Sequence, residues 1–289
     1  MKAPAFDYAR PASVAEALGL LAEHGDGAKI IAGGQSLVPA LNLRLLAPDI
    51  LVDIGGLSEL SGIAVDSDTL RLGANTRHAE IEHSAEVARA APLLARAIVH
   101  VAHPAIRNRG TIGGNVANAD PASEMPACLV ALQATIVVEG PDGRRGIAAE
   151  AFFTGLHETA LAPDEIVVAV EIPVAQPDER DSFAELSRRS GDYALAGLAA
   201  RARLAEDRLR DVRLVFFAVG DRPVLARAAA AAMDGHVPGP QVLEAAAEAL
   251  AEDLEPEGDL QVSAATRLHL ARVLLRRAVA ELAGGERAS

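Results

Sequence analysis

The residues best suited to chemistry lie in two glycine-rich segments, Ala32-Gly33-Gly34-Gln35-Ser36 and Thr111-Ile112-Gly113-Gly114-Asn115. Consecutive glycines let successive main-chain N–H groups converge on one concavity, and the missing Cβ lets an anion approach. The first segment follows the apolar run Lys29-Ile30-Ile31-Ala32 and precedes Leu37, Leu41 and Leu45 at helical spacing, so it reads as strand–loop–helix. A helix starting near Ser36 adds the positive end of its dipole. The second segment follows Arg107-Asn108-Arg109-Gly110, and Arg107 to Asp120 as a whole reads as loop. Ser36, Thr111 and Asn115 can add side-chain hydrogen bonds. Two such loops suit a diphosphate gripped from both sides. Neither is a Walker sequence, because no Gly-Lys-Ser/Thr occurs, and neither is the Gly-x-Gly-x-x-Gly dinucleotide fingerprint. Each Gly-Gly pair taken alone also fits a tight turn.

Other reactive side chains are sparse. The single cysteine, Cys128, sits in Ala127-Cys128-Leu129-Val130-Ala131-Leu132 and reads as a buried structural thiol. One cysteine excludes an intrachain disulfide, a Cys-based zinc site and a self-contained iron–sulfur cluster, which takes about four thiolates. His100 and His103 have no third ligand nearby, so no metal site is expected. Arg107 and Arg109 suit a phosphate, although arginines in a polar loop are usually at the surface. Tyr193, in Gly191-Asp192-Tyr193-Ala194, is either a packing or a stacking aromatic. Glu244, Glu248, Glu252 and Glu255 read as a solvated helix face. No catalytic acid, base or nucleophile stands out.

Lys plus Arg number 27 and Asp plus Glu 40, a formal net charge of -13 over 289 residues. That balance argues against nucleic-acid binding, which needs clustered cations, and the absence of Trp leaves little for base stacking. No apolar run approaches the ~20 residues that span a bilayer, and Met1 to Arg10 has neither an apolar leader core nor twin arginines. The expectation is a soluble cytoplasmic chain with no membrane span.

The surrounding pattern shows how these residues are positioned. Ser13 with Glu16 fits a capping box, Val14, Leu18 and Leu21 follow at helical spacing, and Gly25 is a stop. With the strand Ile50 to Ile54, residues 1–56 form a small α/β unit. Residues 57–176 read as mixed α+β. Hairpins are expected at Ile63 to Leu72 and Thr135 to Ile147, helices at His78 to Ala90, from Pro92 to about His103 and at Pro126 to Leu132, and a strand at Ile166 to Ile172 closed by Pro173. The polar, breaker-rich stretch Val174 to Asp181 marks a boundary near 177. Strands at Phe183 to Leu186, Ala194 to Leu204 and Val212 to Val219 follow, with Asp207 in the turn between the last two. Then come an alanine-rich helix at Ala228 to Ala232 and two apolar helical stripes, Leu243-Ala247-Leu250-Leu254 and Leu268-Leu275-Leu282, ended by Gly284-Gly285.

The two glycine segments, taken in order with His103-Pro104-Ala105-Ile106-Arg107-Asn108-Arg109-Gly110 and Asp120-Pro121-Ala122-Ser123-Glu124-Met125-Pro126-Ala127, resemble the paired FAD motifs of the medium subunit of molybdenum hydroxylases. Ile166 to Pro173 and Arg188-Arg189-Ser190-Gly191-Asp192-Tyr193-Ala194 extend the likeness over nearly the whole length. The resemblance implies an α+β fold. A two-subdomain FAD-binding domain of PCMH-like type occupies 1–176, split at 56/57. A C-terminal domain, 177–289, holds a three-stranded antiparallel sheet and a helical bundle. It also implies roles. Ala32, Gly33, Gly34, Gln35 and Ser36 with Thr111, Gly113, Gly114 and Asn115 would hold the FAD pyrophosphate. Asp120 and Glu124 would lie near the cofactor, Val167 would make a main-chain contact on the adenine side, and Tyr193 would stack on the isoalloxazine. Gln35 stands where some relatives have His, so the FAD would be noncovalent. Glu185 stands roughly where some relatives have Lys, so no lysine contact carries over.

By the same resemblance, the function is electron transfer. A large molybdopterin subunit acts on substrate, and a small subunit with [2Fe-2S] clusters passes electrons to FAD on this chain. An external acceptor such as NAD, quinone or oxygen takes them, in a heterotrimer or dimer of heterotrimers. A stand-alone FAD-dependent oxidase or dehydrogenase and a noncatalytic assembly subunit are the alternatives. Flavin bleaching on addition of substrate to the complex would separate the carrier from the scaffold.

Overall fold

Local signals build the first unit. Helix α1 (Val14–His24) is capped by the Ser13 hydroxyl, which accepts from the Glu16 N–H at 3.1 Å, while the Glu16 carboxylate accepts from the Ala12 N–H at 2.7 Å. The reciprocal capping pair is thus shifted by one residue. Gly25, at φ 51°, ends the helix. Strands β1 (Asp7–Ala9), β2 (Ala28–Ile31) and β3 (Ile50–Asp53) form a parallel sheet in the order β1-β3-β2. Val14, Ala17 and Leu21 bury against Val52 and Ile54. Helix α2 (Leu37–Asn42) stops a turn short of expectation: Arg44 takes φ 58°, and Leu45 is exposed. The computed structural model describes residues 2–284, so Gly285 lies outside the described residues.

The middle of the chain forms a five-stranded antiparallel sheet. Hairpins β4 (Ile63–Asp66)–β5 (Thr69–Gly73) and β6 (Thr135–Gly140)–β7 (Gly143–Ala148) flank β10 (Ile166–Pro173) in the order β4-β5-β10-β6-β7. Between the last hairpin and β10 lie α9 (Ala149–Phe152), β8 (Phe153–Gly155) and β9 (Glu158–Thr159). The unbroken apolar run of β10 follows from its central place, where both faces are covered. Ile166 and Val168 face the core of the first unit, and Val167, Val170 and Ile172 face the larger core. The helix expected over His78 to Ala90 is two, α3 (His78–His83) and α4 (Ala85–Ala90), because Ser84 leaves helical geometry and its hydroxyl caps the second at the Val87 N–H, 3.2 Å. Then come α5 (Pro92–Ala97) and a 3₁₀ turn at Ile98–His100. Helix α6 (Pro104–Arg107) ends where the expected loop begins, and that stretch instead contains α7 (Ile112–Asn118), followed by α8 (Glu124–Ala131).

The remainder is a sheet of β11 (Glu179–Ser187), β12 (Ala194–Ala205), β13 (Arg208–Phe217) and β14 (Val224–Leu225), antiparallel in that order. It has four strands, not the expected three. The fourth is a two-residue edge too short to leave a periodic signal. One face, with Leu198, Leu214 and Phe216, packs under α10 (Arg227–Met233), α11 (Pro240–Asp253) and α12 (Ala264–Leu282) through Leu250, Leu274 and Leu275. Ala199, Val215 and Phe217, on the opposite face, join the core that contains α8. That helix is therefore apolar all round: Met125 to Ala131 are all buried, Cys128 completely. The Ala218 N–H donates to the Pro121 carbonyl at 2.8 Å, and an Arg213 N–H donates to the Val130 carbonyl at 3.0 Å. Both ends of α8 are thereby tied to this sheet.

Candidate cofactor-binding site

The first glycine segment meets the chain just ahead of the second. A Cβ placed on Gly33 would lie 2.9 Å from both the Arg109 carbonyl carbon and the Gly110 Cα, and closer still to the Arg109 carbonyl oxygen. Only glycine permits that approach of two main chains. Gly34 follows at φ 71°, turning the chain back toward α2. Among the described residues, the N–H groups of Gly33, Gly34, Gln35 and Ser36 have no hydrogen-bond acceptor, while the Gln35 side chain folds back onto the Gly33 carbonyl at 3.1 Å. Four successive unpaired donors in a half-buried turn are an anion cradle.

The second segment is built differently from the expected loop. Thr111 is the N-cap of α7, its hydroxyl accepting from the Gly114 N–H at 3.2 Å. Gly113 is buried: its N–H donates to the Ala74 carbonyl at 2.8 Å, and a Cβ there would lie 2.5 Å from the Ala74 Cβ. The Ile112 and Asn115 N–H groups donate to the Thr76 and Thr111 carbonyls, and the Asn115 amide pairs with the Ser123 hydroxyl at 2.8 Å. Gly113 is thus needed for helix-to-sheet packing, and the buried Thr111 hydroxyl caps the helix. Arg107, weighed above as a surface residue, is buried. Its guanidinium pairs with Glu82 at 2.7 Å and donates to the Val101 carbonyl at 3.1 Å, so it staples the segment from below and holds the Glu82 carboxyl below its ordinary range.

A second cluster gathers where the C-terminal sheet meets α8. Tyr193 is 69% exposed. Partial burial, then the charge of Asp120, raise its phenol above the ordinary range. Asp120 is itself fixed by the Ala122 N–H at 2.9 Å. Glu124, at the start of α8, is pushed up to about 7, first by burial and then by the Glu185 and Asp120 carboxylates, against its own backbone N–H and His100. Gly191 lies against the Ala102 carbonyl, which sets the turn carrying Tyr193 beside the 3₁₀ turn of His100. The Val167 side chain, on the central strand β10, is in the core. No three His, Cys, Asp or Glu side chains gather as a metal site among the described residues.

A family model described as FAD binding domain in molybdopterin dehydrogenase matches residues 4–175, and one described as CO dehydrogenase flavoprotein C-terminal domain matches residues 181–282. The chain belongs to the FAD-binding medium subunits of molybdenum-dependent dehydrogenases. It is 40% identical over 281 residues to the nicotine 6-hydroxylase medium subunit of Paenarthrobacter nicotinovorans, with 97% of this chain and 98% of that protein covered. A chain of carbon monoxide dehydrogenase from Hydrogenophaga pseudoflava superposes with a TM-score of 0.95 at 36% identity, over 98% of both chains. A chain of quinoline 2-oxidoreductase from Pseudomonas putida 86 does so at 0.93 and 39%, over 98% of this chain and 99% of that one.

The residues present fit the medium subunit's FAD. The free N–H groups of Gly33 to Ser36 match a pyrophosphate, and the exposed ring of Tyr193 offers a face to a planar group. Sequence reasoning missed the floor of this site. Ala74 and Thr76 accept from the second segment, and Asn75 donates to the Ile54 carbonyl at 2.6 Å, joining the two sheets beneath the first. Their signal was a polar pair, Asn75-Thr76, placed directly after a strand.

Proposed function

We propose that this medium subunit holds one noncovalent FAD between the Ala32–Ser36 cradle and the Thr111–Asn115 segment, and relays electrons from an iron–sulfur subunit to an external acceptor. The observation that carries this is the run of four unpaired N–H groups pressed against Arg109 and Gly110. A bound flavin exchanges electrons singly or in pairs, which suits a link between one-electron clusters and a two-electron acceptor.

The chain's own residues bind and orient. Gly33, Gly34, Gln35 and Ser36 donate to the pyrophosphate, and Thr111 adds its N–H and hydroxyl. Gly113, Gly114 and Asn115 keep α7 seated behind Thr111. Val167 contacts the adenine side through its main chain. The Tyr193 ring lies along the isoalloxazine, with Asp120 and Glu124 near the cofactor. Gln35 offers no nucleophile for covalent attachment.

The clusters and the molybdopterin belong to partners, since one cysteine cannot hold a cluster. The partners are a large molybdopterin subunit and a small [2Fe-2S] subunit, in a heterotrimer or dimer of heterotrimers in the cytoplasm. NAD, quinone or oxygen takes the electrons. The FAD-binding region is residues 1–176, divided at 56/57, and residues 177–289 close the flavin end. Copurification of the tagged chain, with flavin, molybdenum and iron analysis of the captured complex, tests this. One FAD per chain with iron and molybdenum on other chains is expected. A colourless chain that ignores added FAD overturns it.

A further inference from the structure

The wall that faces Gly33 has a support of its own. Residues 74–78 run alongside 110–113: the Ala74 carbonyl accepts from the Gly113 N–H at 2.8 Å, the Thr76 carbonyl accepts from the Ile112 N–H at 3.0 Å, and the His78 N–H donates to the Gly110 carbonyl at 2.9 Å. Arg77 and Thr111 pair between the last two. His78, the first residue of α3, presses its ring against Gly110: a Cβ built there would lie 3.0 Å from His78 Cδ2 and 3.5 Å from Nε2. Gly110 is therefore held between the His78 ring and Gly33. One turn along α3, Glu82 holds Arg107 at 2.7 Å, so the same helix braces both ends of 107–110. The His78 side chain is buried, and its Nδ1 has no hydrogen-bond partner among the described residues. Burial, then the Arg107 charge, hold its pKa down to about 4, so the ring is neutral. An orphaned nitrogen costs stability that an apolar side chain of similar size would not. A flat ring kept in spite of that cost serves the position of Gly110 and not the stability of the core.

We propose that His78 is a positioning residue for the cofactor: its ring fixes the separation of Gly110 from Gly33, and with it the width of the cradle that takes the pyrophosphate. The proposal rests on the placement of FAD at Gly33 to Ser36. Buried as it is, the ring acts through Gly110 and not on the cofactor directly. Gly110 has no side chain, so the ring and Gly33 both come into contact with one stretch of main chain. A packed planar ring holds that separation more closely than a flexible chain would. A smaller side chain lets Gly110 fall back and opens the cradle, whereas a branched one of similar volume drives a methyl group into Gly110 and narrows it. Either change misplaces the wall while leaving the four donors of Gly33 to Ser36 intact.

The test compares the full chain with its His78→Leu and His78→Ala variants by FAD fluorescence quenching, phosphorus NMR of the bound FAD and urea unfolding without ligand. Both variants should bind FAD about tenfold more weakly, with the pyrophosphate resonances displaced from those of the unsubstituted protein. In His78→Leu the unfolding midpoint should hold or rise, because the orphaned nitrogen is gone, so stability and affinity part company. Neutral imidazole added to His78→Ala should enter the vacated space and restore FAD affinity, and it should do nothing for His78→Leu, where that space is filled. His78→Leu decides the matter where His78→Ala does not fold. A His78→Leu protein that fails to fold, unchanged FAD affinity in it, pyrophosphate resonances that stay in place, or a folded His78→Ala that imidazole does not rescue overturns the proposal. Failure of the unsubstituted chain to bind FAD sinks the cofactor placement itself, whereas normal binding that His78→Leu leaves unaltered sinks only the role of His78.

Discussion

Gly33→Ala is the sharpest perturbation of the site, because its effect follows from two distances. The new methyl would sit 2.9 Å from the Gly110 Cα and the Arg109 carbonyl carbon, against an ordinary carbon–carbon separation of about 3.5–4.0 Å. Neither neighbour is a side chain that can swing away, so the two segments must part by roughly 1 Å. Overpacking of this kind costs about 1–3 kcal/mol. If that cost falls on closure around FAD, the dissociation constant rises by about 5- to 150-fold. Gly19→Ala provides the contrast, because nothing lies within 4 Å of a Cβ there and the residue is inside α1. The same added methyl should stabilise the fold by about 0.5–1 kcal/mol and leave FAD affinity alone. Fluorescence titration with FAD and urea unfolding of both variants supply the readouts. Unchanged FAD affinity in Gly33→Ala would refute the close approach of Gly33 to Arg109 and Gly110 as the basis of the site.

Three further outcomes follow from the same geometry. Arg107→Ala should lower unfolding stability in urea by about 3 kcal/mol, since it strands Glu82 and leaves the Val101 carbonyl without its donor; a loss under 1 kcal/mol would mean the staple is ornamental. Tyr193→Ala should leave the melting temperature nearly unchanged, because the residue is exposed, yet weaken FAD binding about 3- to 10-fold, with Tyr193→Phe largely restoring it. The pH dependence of the FAD-free protein should carry the mark of Glu124. Its folded pKa, about 7, lies above its unfolded value, so the folded state holds the extra proton between about 4.5 and 7 and stability falls as pH rises through that window. The fall is roughly 3 kcal/mol at most, and Glu124→Gln should flatten it; an equally steep loss in that variant would place the titrating group elsewhere.

How much of this was legible in the sequence depends on how local each cause is. The α1 cap, the Gly25 stop, both hairpins and the central strand β10 are written in near neighbours, and each lies where the pattern puts it. The segment 107–120 was misread because glycine and asparagine are poor helix formers, and propensity alone points to loop. Tertiary contact reverses that preference: Ala74 and Thr76 accept the N–H groups of Gly113 and Ile112, and Arg107 closes the underside. Arg107 misled for the same reason, since its partner Glu82 is remote in sequence. Of the candidate residues, the cradle was visible as a motif, whereas the 3.4 Å contact of His100 with Glu185 needed β11 to be folded against the 3₁₀ turn at Ile98–His100 before it existed.

The two glycine segments look alike in composition and do different physical work. In the second, glycine is required by packing: Gly113 lets α7 lie against Ala74, and its N–H is consumed in holding it there. In the first, glycine is required by emptiness. Gly33 and Gly34 bring the chain against Arg109 and turn it away again, leaving donors without acceptors. A rigid wall facing an unsatisfied turn is a preorganised anion site, because little need be reordered when the ligand arrives. The asymmetry also has a mutational signature. Substitutions at Gly113 should be lost in folding and those at Gly34 in FAD affinity, so Gly113→Ala should fail to accumulate as soluble protein where Gly34→Ala accumulates and binds poorly. The opposite pattern, with Gly113→Ala folded and merely FAD-deficient, would refute packing as the reason for glycine at that position.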